Sequence, residues 1–325
     1  MPVGRVLQII TMKGKLFARM FTVIAAVLVL IVIGAIGFIY LAPEAATRAF
    51  ISVERWRAGL VRKEISLPDG TYYVYLEGGQ GEPLMLLHGF GANKDSFTRV
   101  ARFLTPHYRV IIPDHIGFGE SGHPQDADYS PTAQAERLHA FAQALELKNP
   151  HLGGNSMGGQ IAMNYAVLYP TEVKSHWLLD PAGIWSAPES EVRKIIRETG
   201  KNPLLARNED EFAQLFDMVM NEPPFVPRPV LNVLARERIR NFALEERIFP
   251  QLIADRIEER VDGLKTPALI VWGDQDRLIN VATADVLHKL MPNSQVVIIP
   301  GVGHVPMIER PRQSAEDYLR FRASL

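Results

Sequence analysis

Cysteine is absent from the 325-residue chain. The chain therefore cannot form a disulfide, a thiolate metal site or a cysteine nucleophile. A charge excess is also missing, because 35 basic residues balance 36 acidic ones and the formal net charge is -1. A nucleic-acid-binding protein would carry a basic excess, so we expect no nucleic-acid partner. The sequence has no low-complexity segment and no repeat with a period of about 20–50 residues, which argues against a solenoid.

Hydrophobic residues are plentiful and make up 47% of the chain. This fraction supports a sizeable core and excludes wholesale disorder. The length suits one large α/β domain with an insertion, or two modest domains.

Part of this hydrophobicity comes from one run, 21–41, in which Thr22 is the one weakly polar side chain. A helix of this length rises about 30 Å, which is the thickness of the hydrocarbon layer of a membrane. The run predicts a transmembrane helix over residues 21–42, preceded by a short basic tail over residues 1–20.

A cleaved signal peptide is the alternative interpretation of this run. Its apolar region would be shorter, and Pro43 and Glu44 interrupt any small-residue cleavage site, so a retained anchor is favoured. Basic residues flank the run on both sides, and the nearer cluster is at Lys13, Lys15 and Arg19. That cluster favours an N-terminus in the cytoplasm and a globular body on the other side of the membrane.

The segment 43–60 has apolar residues three or four positions apart, at Ala46, Phe50, Val53 and Trp56. This spacing predicts an amphipathic juxtamembrane helix. Such a helix could lie on the bilayer or pack on the globular domain, and the sequence leaves both open. Together with the anchor, it could also join two chains into a homodimer.

After residue 60, apolar strand-like stretches alternate with helical ones. The strand-like stretches are 71–78, 83–89, 108–114, 151–156, 173–180, 267–274 and 294–301, and the helical ones are 96–104, 133–147, 159–168 and 281–291. This alternation predicts an α/β fold with a mostly parallel sheet covered on both faces.

One long segment, 190–261, is rich in Arg and Glu and has helical spacing. It predicts a helical cap, or lid, inserted between strands. The strand–helix core would then consist of residues 61–189 and 262–325. A separate binding domain is less favoured, because the strand–helix pattern resumes at Thr266.

The stretch "GNSMG", Gly154 to Gly158, fits the G-x-S-x-G pattern of a nucleophile elbow. In this elbow the chain turns sharply from strand to helix and exposes the serine hydroxyl, here that of Ser156. Side chains at Gly154 and Gly158 would collide with the neighbouring strand and helix. The backbone amide of Met157, at the helix start, would face an oxyanion.

A serine nucleophile needs a base, and nine histidines compete for that role. His304 stands on a glycine-flanked loop after the last predicted strand, and the chain order of this arrangement is serine, acid, histidine. His304 is therefore the predicted base. His88 is interpreted as structural support for its own loop, and His151 lies within a strand.

The acid should follow a strand between the serine and the histidine. Asp276 is favoured because it lies far enough into its loop to reach the histidine. Asp274, which is expected to shape the turn, and Asp180 remain alternative acids. The glycines of "HGFG", residues 88–91, let the backbone approach a substrate at Gly89, and the amide of Phe90 would be the second oxyanion donor.

Taken together, "HGFG", "DHIGFGESG", "GNSMGG", "WGDQD" and "GVGH" resemble the α/β-hydrolase superfamily over residues 65–325. The N-terminal anchor, "HGFGANKD", "SMGGQ", "PAG" and "ERPR" are similar to membrane-anchored monoacylglycerol lipases and bacterial membrane-bound phospholipases A. The resemblance implies an eight-stranded, mostly parallel sheet. It also implies Ser156 as nucleophile, Asp276 as acid and His304 as base, with an oxyanion hole formed by the amides of Phe90 and Met157. Asp180, directly before "PAG", departs from many lipases.

The function that this resemblance implies is a membrane-anchored serine hydrolase of carboxylic esters in acyl glycerolipids, with no metal and no organic cofactor. The expected partners are a lipid or fatty-acyl ester and the bilayer, in a bacterial inner membrane with the catalytic domain in the periplasm. Two alternatives stay open: a carbon–carbon bond hydrolase on the same fold, and a catalytically inactive lipid-binding module.

Overall fold

The computed structural model describes residues 3–325, with the side chains of residue 17 and of residues 20–325. Its first element is α1, Val3–Leu41, a single helix of 39 residues. The helix is longer than the predicted 21–42 because it continues through most of the predicted basic tail. Met1, Pro2 and the side chains of Lys13, Lys15 and Arg19 lie outside the described residues.

The part of α1 from Met20 to Leu41 spans 22 residues with a mean hydropathy of 3.0, and none of its most apolar window is buried in the fold. It is long and apolar enough to cross a membrane once.

Helix α2, Pro43–Arg57, follows directly, with Pro43 at a position that tolerates a missing N–H. Its two sides differ. Ala46 and Thr47 are buried, whereas Phe50, Val53 and Trp56 are 58%, 46% and 78% exposed. The helix therefore packs on the globular domain and still presents apolar side chains outward.

Eight strands form one sheet, in the order β1-β2-β4-β3-β5-β6-β7-β8. Strand β2 is antiparallel to β1 and to β4, and the other neighbouring pairs are parallel. The predicted eight-stranded, mostly parallel sheet is confirmed. The strands are β1 Val61–Ser66, β2 Tyr72–Gly78, β3 Glu82–Leu87, β4 Tyr108–Pro113, β5 His151–Asn155, β6 His176–Leu179, β7 Ala268–Gly273 and β8 Ser294–Ile299.

Helices cover both faces of this sheet. They are a 3-10 turn at Lys94–Phe97 and then α3 Thr98–Ala101, α4 Pro131–Ala144, α5 Met157–Leu168, α6 Glu191–Thr199, α7 Glu209–Val219, α8 Arg228–Ala254, α9 Glu258–Val261, α10 Thr283–Leu290, α11 Pro306–Glu309 and α12 Pro311–Ala323. Side-chain caps start several of them: Ser130 accepts a hydrogen bond from Ala133 N at α4, and Ser190 accepts one from Arg193 N at α6.

The central strands alternate their side chains between two cores. In β3, Leu84 and Leu86 belong to one core and Met85 and Leu87 to the other, and all four are fully buried. A strand buried on both faces reads as a continuous apolar run, as this one does. Loops that follow the parallel strands are thereby held at one edge of a rigid sheet.

The chain between β6 and β7 is helical and contains α6 to α9. We call helices α6–α9 with their connections, residues 190–261, the cap. Helix α8 is its longest element, with 27 residues. It contacts both α2 and the loops at the edge of the sheet.

Candidate active site

Ser156 lies between β5 and α5 with φ 54° and ψ −119°. A non-glycine residue with this backbone is strained, and the strain turns the chain abruptly from strand into helix. The turn leaves no room beside it: a Cβ at Gly154 would lie 2.3 Å from Gly158 O, and one at Gly158 would lie 2.0 Å from Leu87 O. The serine side chain is half-buried at the floor of a pocket.

His304 follows β8, and its Nδ1 lies 2.8 Å from Asp276 Oδ2. The other Asp276 oxygen accepts hydrogen bonds from Leu278 N at 2.8 Å and Ile279 N at 3.1 Å. His304 is 3% exposed, and its Nε2 is buried with no hydrogen-bond partner among the described residues. The imidazole is thus held by one nitrogen and has the other available.

The two alternative acids make different contacts. Asp274 accepts a hydrogen bond from Gly301 N at 2.7 Å and so ties the loop after β7 to the loop after β8. Asp180 is fully buried, with φ 45°, and its Oδ1 accepts a hydrogen bond from Gly273 N at 2.9 Å. Burial, followed by the nearby charge of Asp276, raises the pKa of Asp180 well above its ordinary value.

Asp180, Asp276 and His304 place one polar atom each within 4.8 Å of one another. Three such side chains could hold a metal ion at this spacing. Hydrogen bonds already engage His304 Nδ1 with Asp276, and Asp180 with Gly273 N. These hydrogen bonds explain why the three side chains lie close together.

The loop 88–93 contains Phe90, whose amide is a predicted oxyanion donor, and passes directly beside Ser156. We call it the oxyanion loop after this prediction. A Cβ at Gly89 would lie 3.3 Å from the Ser156 Cβ. Ala92 N donates to Gly89 O at 3.2 Å, which closes a turn with Phe90 and Gly91 at its centre. Gly91 has φ +65°, which glycine adopts without steric cost. Met157 is the first residue of α5, so its N–H has no partner within the helix.

His88 lies under this loop and is fully buried. Its Nδ1 lies 2.8 Å from Gly89 O, and its Nε2 accepts a hydrogen bond from His115 N at 3.0 Å. Burial lowers the pKa of His88, so the ring is neutral at pH 7. Both nitrogens are used for structure.

Two further side chains hold the site, and the sequence analysis did not single them out. Asn155 Nδ2 donates to His304 O at 2.9 Å and to Leu179 O at 3.1 Å, which joins the elbow to the histidine loop. Glu309 accepts hydrogen bonds from Gly303 N at 2.9 Å, Asn221 N at 2.9 Å and Glu222 N at 2.7 Å. Glu309 begins the quoted "ERPR", whereas Asn155 had no signal beyond its place in the pentad.

A mainly apolar pocket of about 100 Å³ opens above Ser156. The oxyanion loop, the loop after β6 and the cap all contribute, through residues that include Phe90, Ile184, Trp185, Phe249, Leu252 and Ile279. Its apolar lining suits contact with hydrocarbon groups. A second cavity of about 580 Å³, lined mainly by polar side chains such as Glu237, Arg240 and Arg247, lies along the preceding turns of α8; we call it the polar cavity.

Known proteins resemble this chain in sequence and in fold. The model of the α/β-hydrolase fold family matches residues 82–311. Lipase 1 of Psychrobacter immobilis is 45% identical over 287 residues, which cover 86% of this chain and 89% of the lipase. Monoacylglycerol lipase ABHD6 of Rattus norvegicus is 29% identical, over 94% of this chain and 95% of that enzyme.

Among solved structures, a membrane phospholipase A described as a bacterial virulence factor superposes with a TM-score of 0.84 at 38% identity, over 91% of this chain and 96% of that one. With the family model matching well over half of its length, the chain belongs to the α/β-hydrolase fold family and is an ester hydrolase.

Proposed function

We propose that this chain hydrolyses acyl esters of glycerolipids at a membrane surface, with Ser156 as the nucleophile. The observation that carries the proposal is the apolar pocket that has Ser156 at its floor and the cap over it. The relatives named above are two lipases and a phospholipase, which supports a lipid substrate.

In the proposed mechanism, Ser156 Oγ attacks the ester carbonyl carbon while His304 Nε2 takes the hydroxyl proton. Asp276 stays ionised, keeps the Nδ1–H of His304 oriented and stabilises the imidazolium. The tetrahedral oxyanion accepts hydrogen bonds from the amides of Phe90 and Met157. One such preorganised donor is worth about 3–4 kcal/mol.

The intermediate collapses as His304 gives its proton to the leaving alcohol, which leaves an acyl group on Ser156. A water molecule, deprotonated by the same imidazole, attacks this acyl-enzyme. The tetrahedral intermediate then releases the fatty acid and restores the serine hydroxyl. His304 returns each proton that it takes, so the proposed reaction needs no cofactor.

We propose further that α1 is a retained single-pass anchor, with the catalytic body on the periplasmic side of a bacterial inner membrane. Accessibility of the domain to protease in intact spheroplasts would test the side. A homodimer through α1 and α2 also stays a prediction, and crosslinking in membranes would test it.

The experiment for the activity compares wild type with Ser156→Ala, both purified in detergent as full chains. The substrates are p-nitrophenyl butyrate, a monoacylglycerol and a lysophospholipid. We expect Ser156→Ala to lose activity on all of them by about 10⁴-fold or more. Ser66→Ala, an exposed serine at the end of β1, is the matched control and should behave as wild type.

Three outcomes would contradict the proposal. Equal activity of wild type and Ser156→Ala would remove the serine from the mechanism. A wild type inactive on every ester but able to cleave a carbon–carbon bond beside a ketone would favour the alternative hydrolase class. Lipid binding without turnover would favour the inactive binding module.

A further inference from the structure

An arginine of the cap donates a hydrogen bond to the oxyanion loop. Arg238 of α8 donates from Nη1 to Gly91 O at 2.9 Å. A Cβ at Gly91 would lie 2.0 Å from the guanidinium carbon, so the two groups are in direct contact with no space between them. The carbonyl that receives this bond lies two peptide units from the Phe90 amide, within the same tight turn.

Arg238 is itself fixed from several directions. Nε donates to Glu245 Oε2 at 2.9 Å, and Nη2 donates to Leu204 O at 2.5 Å. The guanidinium carbon also lies 5.6 Å from the centre of the Phe90 ring. Arg238 is 8% exposed and Glu245 is 2% exposed. A planar guanidinium with its donors distributed in this way can occupy only one orientation.

These contacts join three separate parts of the chain. Arg238 and Glu245 belong to α8, Leu204 lies between α6 and α7, and Gly91 lies in the oxyanion loop. The preceding residue of α8, Glu237, accepts a hydrogen bond from Asn93 Nδ2 at 3.3 Å, so one turn of the cap helix touches the loop twice.

The same helix also lines the apolar pocket at Ser156, about three turns farther on, at Phe249 and Leu252. Any displacement of α8 therefore acts on the pocket wall and on the oxyanion loop together. A donor displaced by about 1 Å from a reacting group can cost about 10²-fold in rate.

We propose that Arg238 is a positioning residue that couples the cap to the oxyanion hole: through Gly91 O it holds the turn that aims the Phe90 amide. The inference rests on the proposed function, because it assigns the Phe90 amide to the oxyanion. Arg238 does not touch the reacting atoms and acts through the loop.

The test uses full chains in detergent and compares wild type, Arg238→Gln, Arg238→Lys and the control Arg240→Gln. Arg240 lies on the same helix, beside the polar cavity. With p-nitrophenyl butyrate we expect Arg238→Gln to lower kcat by about 10²-fold and to change KM by less than about 3-fold. Arg238→Lys should recover part of kcat, and Arg240→Gln should match wild type.

A second readout separates positioning from general damage. An alkyl trifluoromethyl ketone forms a tetrahedral adduct with the serine, whereas an alkyl ether analogue of the substrate merely fills the pocket. Arg238→Gln should weaken the ketone by about the same factor as kcat and leave the affinity for the ether unchanged. If Arg238→Gln fails to fold, the double variant Arg238→Met/Glu245→Leu removes both buried charges at similar volume and should lose the same kcat.

Retention of kcat within about 3-fold in Arg238→Gln or in the double variant would overturn the inference, as would an equal loss of affinity for the ketone and the ether. A wild type without esterase activity would instead contradict the proposed function. The two failures are therefore distinguishable.

Discussion

Asp180 and Asp276 form a buried pair of carboxyl groups with unequal surroundings. Asp276 accepts three hydrogen bonds, from His304 Nδ1 and from two backbone amides, whereas Asp180 accepts one, from Gly273 N. Two carboxylates this close cannot both ionise cheaply, and the one with fewer donors keeps the proton. The raised pKa of Asp180, caused first by burial, agrees with this assignment.

We therefore expect Asp180 to keep its proton to a higher pH than an ordinary aspartate does. Asp180→Asn, which is neutral and of the same shape, should lower kcat/KM on p-nitrophenyl butyrate by less than about 10-fold. Asp276→Asn should lower it by about 10⁴-fold, because the imidazole loses the anion that orients and stabilises it. Steady-state kinetics at pH 7.5 make the comparison.

The reverse ranking of these two variants would identify Asp180 as the catalytic acid, the alternative that the sequence left open. An equal and large loss in both would mean that the two carboxyl groups act as one unit.

At the scale of elements, α2 connects α1 to the segment that follows the oxyanion loop. Arg55 donates from Nε and Nη2 to the two oxygens of Asp95 at 2.7 and 2.6 Å. Asp95 follows Lys94, which is buried and donates to Asp114 at 2.7 Å from both its backbone N and its Nζ. Helix α2 is thereby fastened to the segment that continues the oxyanion loop.

We expect Arg55→Ala to destabilise the globular domain by about 1–2 kcal/mol, because it removes a half-buried bidentate pair. For a domain of this size that is a fall in melting temperature of about 2–8 °C. Arg57→Ala is the matched control, since Arg57 is largely exposed and makes a single 3.3 Å contact with Glu54. Thermal unfolding in detergent measures both, and equal melting temperatures for the two variants would count against the docking role of Arg55.

Elements with a strong hydrophobic pattern were predictable and the others were not. Strands β2 to β8 were recognised because they are apolar and buried, whereas β1 was missed: five of its six residues are exposed and "VRKE" has no alternation. The helical stretch predicted at 96–104 is a 3-10 turn followed by the four-residue α3. Propensity alone does not set where such short helices end.

At the scale of the whole molecule, four histidines are buried without charge. Burial lowers the pKa of His88 and places that of His115 well below its ordinary value, and it lowers the pKa values of His151 and His176 to about 4. On unfolding, each pKa returns to about 6.5. Between these values the unfolded chain binds more protons than the folded one, so stability falls as the pH drops below about 6.5.

His176 makes the clearest test because it is fully buried and neither ring nitrogen has a hydrogen-bond partner among the described residues. A pKa of about 4 in the fold means that lowering the pH from 7.5 to 5 costs about 2 kcal/mol through this residue alone. His176→Leu should lose about 2 kcal/mol less than wild type over that interval. Urea unfolding at both pH values measures the difference.

His107→Leu is the control, because His107 is exposed. It should show the pH dependence of wild type. If His176→Leu had the same pH dependence as wild type, His176 would not contribute to the fall in stability at low pH.

The sequence predicts those residues of the candidate site that lie in a recognisable local motif. Ser156 is marked by its pentad, and His304 and Asp276 by chain order and by loops after strands. Arg238 is not marked, because its contact with Gly91 joins residues 147 positions apart and nothing around it distinguishes it from the other arginines of the cap. Such side chains are found only once the fold has brought their partners together.

The cap occupies a single crossover connection, between β6 and β7, and the serine, the aspartate and the histidine all come from outside it. Evolution could therefore exchange this insertion to alter which substrates enter, while the reacting groups stay in place. The cap also contacts the site at two points, however. Val219 O accepts a hydrogen bond from His304 N at 2.8 Å, and Arg238 donates one to Gly91 O in the oxyanion loop. A cap taken from another protein would have to replace both contacts. Only caps of similar geometry could therefore be exchanged in this scaffold.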